Sequence, residues 1–166
     1  MFKKLIFVLV SGGTLWASPW AFAAREVHKF EVFVTIPTQA FYVIPSDPGW
    51  IHREQQLPWN LTSSTLGGLR KYFDVRSEAG SIEARLEGRP YLSNGTAAHD
   101  IDLRVLFNGQ LLNERESTEV VSTVDAAPGK RVLLEIVPQP PADGVYKPGN
   151  YFGSVNLIFN AVLPGA

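Results

Sequence analysis

Cysteine is absent from all 166 residues, and this absence limits both the chemistry and the stabilisation of the chain. Without thiols there can be no thiolate metal site, no cysteine nucleophile and no disulfide. Small exported domains often rely on disulfides because their hydrophobic cores are small. If this chain is exported, its stability must come from its own core or from a partner.

An excess of basic residues is also missing. The chain has 15 Lys and Arg against 16 Asp and Glu, a net charge of −1, and its basic residues form no cluster. Nucleic acids and anionic membranes both attract proteins through clustered Lys and Arg. We therefore expect no nucleic-acid partner, and the length suits one compact domain better than two.

Residue patterns typical of catalysis are not found either. The histidines have no His-x-x-x-His spacing, and no Gly-x-Ser-x-Gly motif is present. His99-Asp100-Ile101-Asp102 is the nearest approach to a cation site, but a polar loop that enters a strand explains it better. The sequence predicts no enzyme, no metal site and no cofactor.

The first residues have the order of a secretory signal. Lys3 and Lys4 precede an apolar run, and an Ala-x-Ala motif ends at Ala23. The apolar run is interrupted by glycine and proline, and it is shorter than the roughly 20 residues that a membrane span needs. We expect residues 1–23 to be removed, with cleavage between Ala23 and Ala24.

The rest of the sequence predicts an all-β protein. Alternating apolar residues recur between turn residues, and no stretch keeps a helical apolar period for ten residues. Asn108-Gly109 predicts a two-residue type I′ hairpin turn, whereas residues 46–64 are assigned only as a loop with short strands. The predicted strands span residues 40–44, 69–75, 81–86, 101–107, 110–113, 118–124, 131–137 and 151–163.

Both ends of the predicted mature chain carry an alternating strand. Near the start, Pro37 ends a strand whose one face carries Phe30, Val32, Val34 and Ile36. The last strand runs almost to the C-terminus. One of its faces carries Tyr151, Gly153, Val155, Leu157, Phe159 and Ala161.

Strands with this spacing suit an immunoglobulin-like β-sandwich. Such a sandwich normally has one more strand beside its last one, and an open edge promotes aggregation. One solution is donation, in which the N-terminal strand of each chain fills the open edge of a neighbour. The alternative is that residues 28–36 form the first strand of their own domain, and the pattern alone does not separate the two.

From Phe30 to the C-terminus, the chain resembles the major pilins of the colonisation-factor-antigen and coli-surface-antigen fimbriae, the alpha class of chaperone-usher pili. Residues 149–157, Gly-Asn-Tyr-Phe-Gly-Ser-Val-Asn-Leu, are similar to the family pattern Gly-Asn-Tyr-x-Gly-x-Val-x-Leu. Residues 105–112 resemble the central hairpin of the family, and residues 86–92 with Pro90 also match. The alternation from Phe30 to Ile36 resembles its donor strand.

This resemblance implies three segments: a signal peptide in residues 1–23, an N-terminal donor extension in residues 24–37, and a pilin β-sandwich in residues 38–166. The sandwich would be incomplete in the monomer and completed by donor-strand exchange. Phe30, Val32, Val34 and Ile36 would be the donor residues, and the strand from Tyr151 to Leu163 would be the acceptor.

The implied function is that of the structural major subunit of a surface fimbria that supports adhesion. Its expected partners are identical subunits, a periplasmic pilus chaperone, an outer-membrane usher and a possible tip adhesin. The chain would pass through the periplasm to the cell surface.

Two other interpretations compete with a major subunit. The first is a monomeric secreted β-sandwich that binds carbohydrate through Trp50 and Trp59, since aromatic side chains form sugar platforms as well as cores. The second is a minor pilin or tip adhesin, which is disfavoured because the predicted mature length leaves no room for an additional receptor-binding domain.

Overall fold

A computed structural model describes residues 40–163 of the chain. Three sequence predictions lie outside these residues: the signal peptide, its cleavage between Ala23 and Ala24, and the donor strand that carries Phe30, Val32, Val34 and Ile36. The described residues are almost entirely strands and connecting loops, as the composition and periodicity predict.

The strands form two main sheets and one short hairpin. The larger sheet has the order β1-β4-β10-β7-β6, with β8 also paired to β7, and the smaller sheet has the order β11-β5-β9. Strands β2 and β3 pair only with each other. The bounds are β1 Phe41–Pro45, β2 Trp59–Asn60, β3 Thr65–Leu66, β4 Leu69–Ser77, β5 Ser81–Leu86, β6 Tyr91–Leu92, β7 Ile101–Phe107, β8 Gln110–Leu111, β9 Thr118–Val121, β10 Lys130–Pro138 and β11 Leu157–Val162. A 3₁₀ turn, Ala97–His99, and a short helix, α1 Thr123–Ala126, complete the elements.

The core lies between the two main sheets, and it is built by period-two alternation. In β7, alternate residues are buried: Ile101, Leu103, Val105 and Phe107. Asp102 and Arg104, which lie between them, are exposed. In β5, every second residue is likewise buried. Two antiparallel sheets packed face to face through such residues form an immunoglobulin-like β-sandwich.

Most predicted strands agree with the observed ones to within two residues at either end, and three differ for reasons that the structure shows. The predicted strand 118–124 stops at Val121, because Ser122 starts helix α1 and its hydroxyl accepts a hydrogen bond from the backbone N–H of Asp125 at 3.3 Å. The predicted strand 110–113 stops at Leu111, because the Asn113 side chain accepts two backbone hydrogen bonds in a turn.

The predicted strand 151–163 begins only at Leu157. Upstream of it, Phe152 pairs with Ser93 as an isolated bridge, and Gly153 lies against the backbone of Tyr91. A Cβ at position 153 would overlap the Tyr91 carbonyl oxygen. The segment therefore changes partners between residues 152 and 157, which interrupts the regular ladder.

The Asn108-Gly109 turn is confirmed as a two-residue hairpin. Both residues have positive φ, 51° and 79°, as a type I′ turn requires, and Phe107 pairs with Gln110 across it. The Asn108 side-chain amide also donates a 2.6 Å hydrogen bond to the carbonyl oxygen of Val120 in β9. This contact joins the two sheets on one side of the sandwich.

On the outer surface of the larger sheet, an ion pair joins β4 to β10. The Arg131 guanidinium donates to both carboxylate oxygens of Asp74, at 2.8 and 3.2 Å. Hydrogen bonding to Arg131 lowers the pKa of Asp74 below its ordinary value. A lowered pKa in the folded state stabilises the fold above the unfolded-state pKa, and the stabilisation is lost as the pH falls through the folded-state pKa.

Asp74→Asn should lower the free energy of unfolding at pH 7 by less than about 1 kcal/mol, because the pair is solvent-exposed and screened. The difference from the unmodified protein should shrink as the pH falls below about 4, where the unfolded-state carboxyl is protonated. Urea unfolding of the purified protein at pH 7 and at pH 3 measures both values. A difference of the same size at both pH values would contradict this assignment.

Candidate functional site, an open groove between two edge strands

One side of the sandwich is open. Among residues 40–163, β1 pairs only with β4, and β11 pairs only with β5. Each of these strands therefore has a backbone edge without a strand partner in the described part of the chain. An exposed strand edge has a row of N–H and C=O groups that can pair with another chain. We call the space between β1 and β11 the groove.

The groove is lined by apolar side chains that contact the core but are only half-buried. Phe41 and Val43 come from β1, and Val155, Leu157 and Phe159 come from β11 and the segment before it. On the opposite side of the sandwich, Val120 and Val121 of β9 are 3% and 2% exposed. The core is thus closed beside β9 and incomplete beside β1 and β11.

Beneath the groove, four aromatic rings pack in a row through the core. Trp50 meets Phe73 edge-on at 5.9 Å between ring centroids, Phe73 meets Phe107 at 5.6 Å, and Phe107 meets Phe159 at 4.8 Å. The first two contacts are edge-to-face and the third is tilted, and aromatic pairs contribute about 0.5–1.5 kcal/mol each beyond the area that they bury. This aromatic row holds Phe159 in a defined position at the floor of the groove.

The predicted acceptor residues divide into two groups. Leu157, Phe159 and Ala161 lie in β11 on its inward face, and Val155 packs against the core just before the strand. Tyr151 and Gly153 lie outside β11 at the far end of the groove. There the Tyr151 hydroxyl donates a 2.9 Å hydrogen bond to the carbonyl oxygen of Lys147.

Sequence reasoning did not identify β1 as the second strand that borders the groove. Residues 40–44 are predicted as a strand without a role, but Phe41 and Val43 pack half-buried against the core in β1, the edge strand of the larger sheet. The available signal was the alternation of Phe41 and Val43 before Pro45, a pattern typical of an edge strand. Trp50 was considered as a sugar platform, yet it packs on Phe73 with the Lys71 ammonium 5.2 Å from its ring centroid.

Beyond the N-terminal end of β11 lies an open cleft of about 1240 Å³, which we call the tail cleft. It is bordered by residues 54–57, Trp59 and residues 146–154, and Leu92 and Ile101 also line it. Trp59 packs edge-on against Tyr146 at 5.5 Å between ring centroids, and burial raises the pKa of Tyr146. Unlike Trp59, Trp50 does not line this cleft, so the cleft does not unite the two tryptophans.

Within residues 40–163, no group of three or more His, Asp or Glu side chains is arranged to hold a metal ion. His99 lies in the 3₁₀ turn with its Nδ1 atom 3.4 Å from the Asn94 side-chain amide nitrogen. None of the helices in this part of the chain combines the length and apolarity needed to cross a membrane.

Comparison with known proteins gives a matching family and several solved structures with a similar fold. The model of a family described as CS1 type fimbrial major subunit matches residues 26–160. The CooA pilin subunit from enterotoxigenic Escherichia coli has a similar structure, with a TM-score of 0.60 and 16% sequence identity over 73% of this chain and 86% of that chain. No curated protein sequence matches this chain. The structural likeness supports the sandwich fold.

Gly153→Ala should lower the free energy of unfolding by about 1–3 kcal/mol, because the added methyl group would push the chain away from Tyr91. Gly88→Ala is the matched control, since a Cβ there meets no atom within 4 Å. It should change stability by no more than about 0.5 kcal/mol. Urea unfolding of both variants measures the difference, and equal losses would contradict the close contact at Gly153.

Proposed function

Because the chain belongs to the family of CS1 type fimbrial major subunits, we propose that it polymerises by donor-strand exchange. Membership in this family makes the chain a structural subunit of a surface fimbria, assembled from many subunits. In the proposed reaction, residues 28–36 of one subunit occupy the groove of the next. The family match begins at residue 26, so it includes the proposed donor segment.

The observation that carries the proposal is the open groove. Four groove positions, Val155, Leu157, Phe159 and Ala161, repeat every second residue along seven residues. The proposed donor has the same period, number and span in Phe30, Val32, Val34 and Ile36. A strand placed beside β11 would pair with its open edge and direct these four side chains to the core.

The expected free energy is large on the scale of domain stability. Burying an apolar side chain contributes about 1.5–3 kcal/mol, so four contribute about 6–12 kcal/mol before the ordering of the strand is subtracted. The total stability of a domain is about 5–15 kcal/mol. A subunit without a donor should therefore be marginal, and the fibre should unfold slowly. The absence of cysteine makes this dependence stronger, because no disulfide compensates for the missing strand.

The same reasoning assigns the partners. A half-buried apolar groove would be an aggregation hazard during export, so a periplasmic chaperone strand is proposed to cover it until an outer-membrane usher admits the next subunit. A tip adhesin would occupy the end of the fibre and support adhesion. In this proposal the chain has no catalytic activity and contributes only its polymerising surfaces.

The mature protein without residues 24–36 should fail to polymerise but should bind a synthetic peptide of residues 26–37. This variant keeps the groove but lacks the donor segment, so the peptide should fill the groove and raise its stability. Thermal unfolding with and without peptide measures the gain. A peptide with Val32→Asp and Val34→Asp is the control, and it should not stabilise the protein because it would bury two carboxylates.

If the truncated protein is a stable monomer that ignores the peptide, donor-strand exchange is wrong. The same result would leave family membership and the sandwich fold unchanged.

Leu157→Arg should weaken binding of the peptide about 10- to 100-fold, because the loss of one buried leucine contact corresponds to about 1.5–3 kcal/mol. Asn160→Arg is the matched control, since Asn160 lies in the same strand but is exposed. It should leave the affinity unchanged. Fluorescence titration of a labelled peptide measures both variants, and equal weakening would argue against pairing through the inward face of β11.

A further inference from the structure

The domain has two distinct ends, which follow from the strand register. At one end, Phe41 pairs with Ser77, and Val162 pairs with Ser81. Helix α1 contacts β4 and β5 and lies at this end, which we call the head. At the other end, beyond Leu157, lies the tail cleft. Strand β11 therefore runs from tail to head, and the chain enters the domain at the head through Ala40.

This entry point restricts how subunits join, if donor-strand exchange operates as proposed. Only residues 37–40 separate the donor segment from β1, and four residues span at most about 14 Å. The head of the donating subunit must therefore lie beside the place where its donor strand leaves the acceptor groove.

The direction of the donor strand decides which end of the acceptor that is. A donor parallel to β11 would leave at the acceptor head, so the heads of successive subunits would lie within about 14 Å of one another. Each subunit would then have both its neighbours, the one that donates to it and the one that receives from it, at its head. Because five strands about 4.8 Å apart are only about 20 Å wide, two further heads of the same width would crowd this single end. An antiparallel donor leaves at the acceptor tail, and each subunit then donates from one end and receives at the other. Such a head-to-tail contact can repeat without closing.

Exposed apolar residues occur at both of these ends. At the head, Val124 of α1 is 83% exposed, although Ala126 of the same helix is fully buried and anchors it. At the tail, Phe152 is 70% exposed and Trp59 is 45% exposed, and both line the tail cleft. Single exposed apolar residues are common on protein surfaces, but two large ones in one cleft, as at the tail, indicate an interaction surface.

We propose that the tail cleft of one subunit binds the head of the next copy of this chain, with Val124 of helix α1 seated in the cleft. This contact rests on the proposed donor-strand exchange but is separate from the groove. The donor strand supplies the connection between subunits, and the head-to-tail contact sets the angle between them. The contact would cover Val124, Trp59 and Phe152 in the fibre and leave them exposed in the single subunit.

Disulfide trapping can test this contact cleanly, because the chain has no cysteine of its own. Fimbriae are prepared from cells that express the full chain with Val124→Cys and one of Gln56→Cys, Trp59→Cys or Phe152→Cys. After mild oxidation, the fibres are dissociated by heating in detergent without reductant. At least one pair should give a ladder of cross-linked multimers that collapses on reduction, because disulfides form where Cα atoms approach to about 4.4–6.8 Å.

The control pairs Val124→Cys with Leu111→Cys, since Leu111 is 49% exposed but does not line the tail cleft. This pair should remain monomeric. Fibres in which none of the three cleft pairs cross-links, or in which the control cross-links equally, would overturn the head-to-tail contact and leave donor-strand exchange standing. If the chain polymerises without residues 24–36, donor-strand exchange fails, and the head-to-tail assignment fails with it.

Discussion

The open edge of β11 is the constraint on which the behaviour of this domain depends. A strand edge beside a half-buried apolar floor combines two unfavourable features: backbone groups without strand partners and core side chains that water can reach. Phe159 and Leu157 are only half-buried against the core, whereas Val120 and Val121 of β9 are almost completely buried. One added strand would remove both features together. In the proposed donor-strand exchange, the strand of a neighbouring subunit would supply this completion without a disulfide.

The two sides of the sandwich are completed in different ways. Beside β9, the Asn108 side-chain amide donates to the Val120 carbonyl oxygen. Asn108 lies in the turn of the β7–β8 hairpin of the larger sheet, so this hydrogen bond connects the two sheets. Beside β11, no described element makes the corresponding connection, because the residues after Pro45 leave the sheet in a long loop. The aromatic row of Trp50, Phe73, Phe107 and Phe159 passes through the core beneath this side. The side chains beneath the groove are therefore held in place by aromatic packing, although no described strand covers them.

Much of the fold was predictable because the signals were local. The alternation in residues 101–107 and 81–86 predicted both the strands and their buried faces, and Asn108-Gly109 predicted the turn. The predictions that failed had two different causes. Residues 122–124 have strand-forming composition, but a competing local signal, the Ser122 cap, starts a helix there. By contrast, the alternation from Tyr151 continues unbroken into β11, and a distant contact with Tyr91 interrupts the ladder at Gly153.

For the candidate site, the sequence by itself determined which side chains share a face. Val155, Leu157, Phe159 and Ala161 are aligned because successive side chains in an extended chain alternate, whatever the chain packs against. Only the tertiary structure decided that this face borders an open groove. That outcome depends on β1 pairing with β4, on β11 pairing with β5, and on Phe41 and Val43 packing half-buried against the core. Such pairings join residues far apart in the chain, and their choice is set by packing of the whole sandwich, which no local pattern contains.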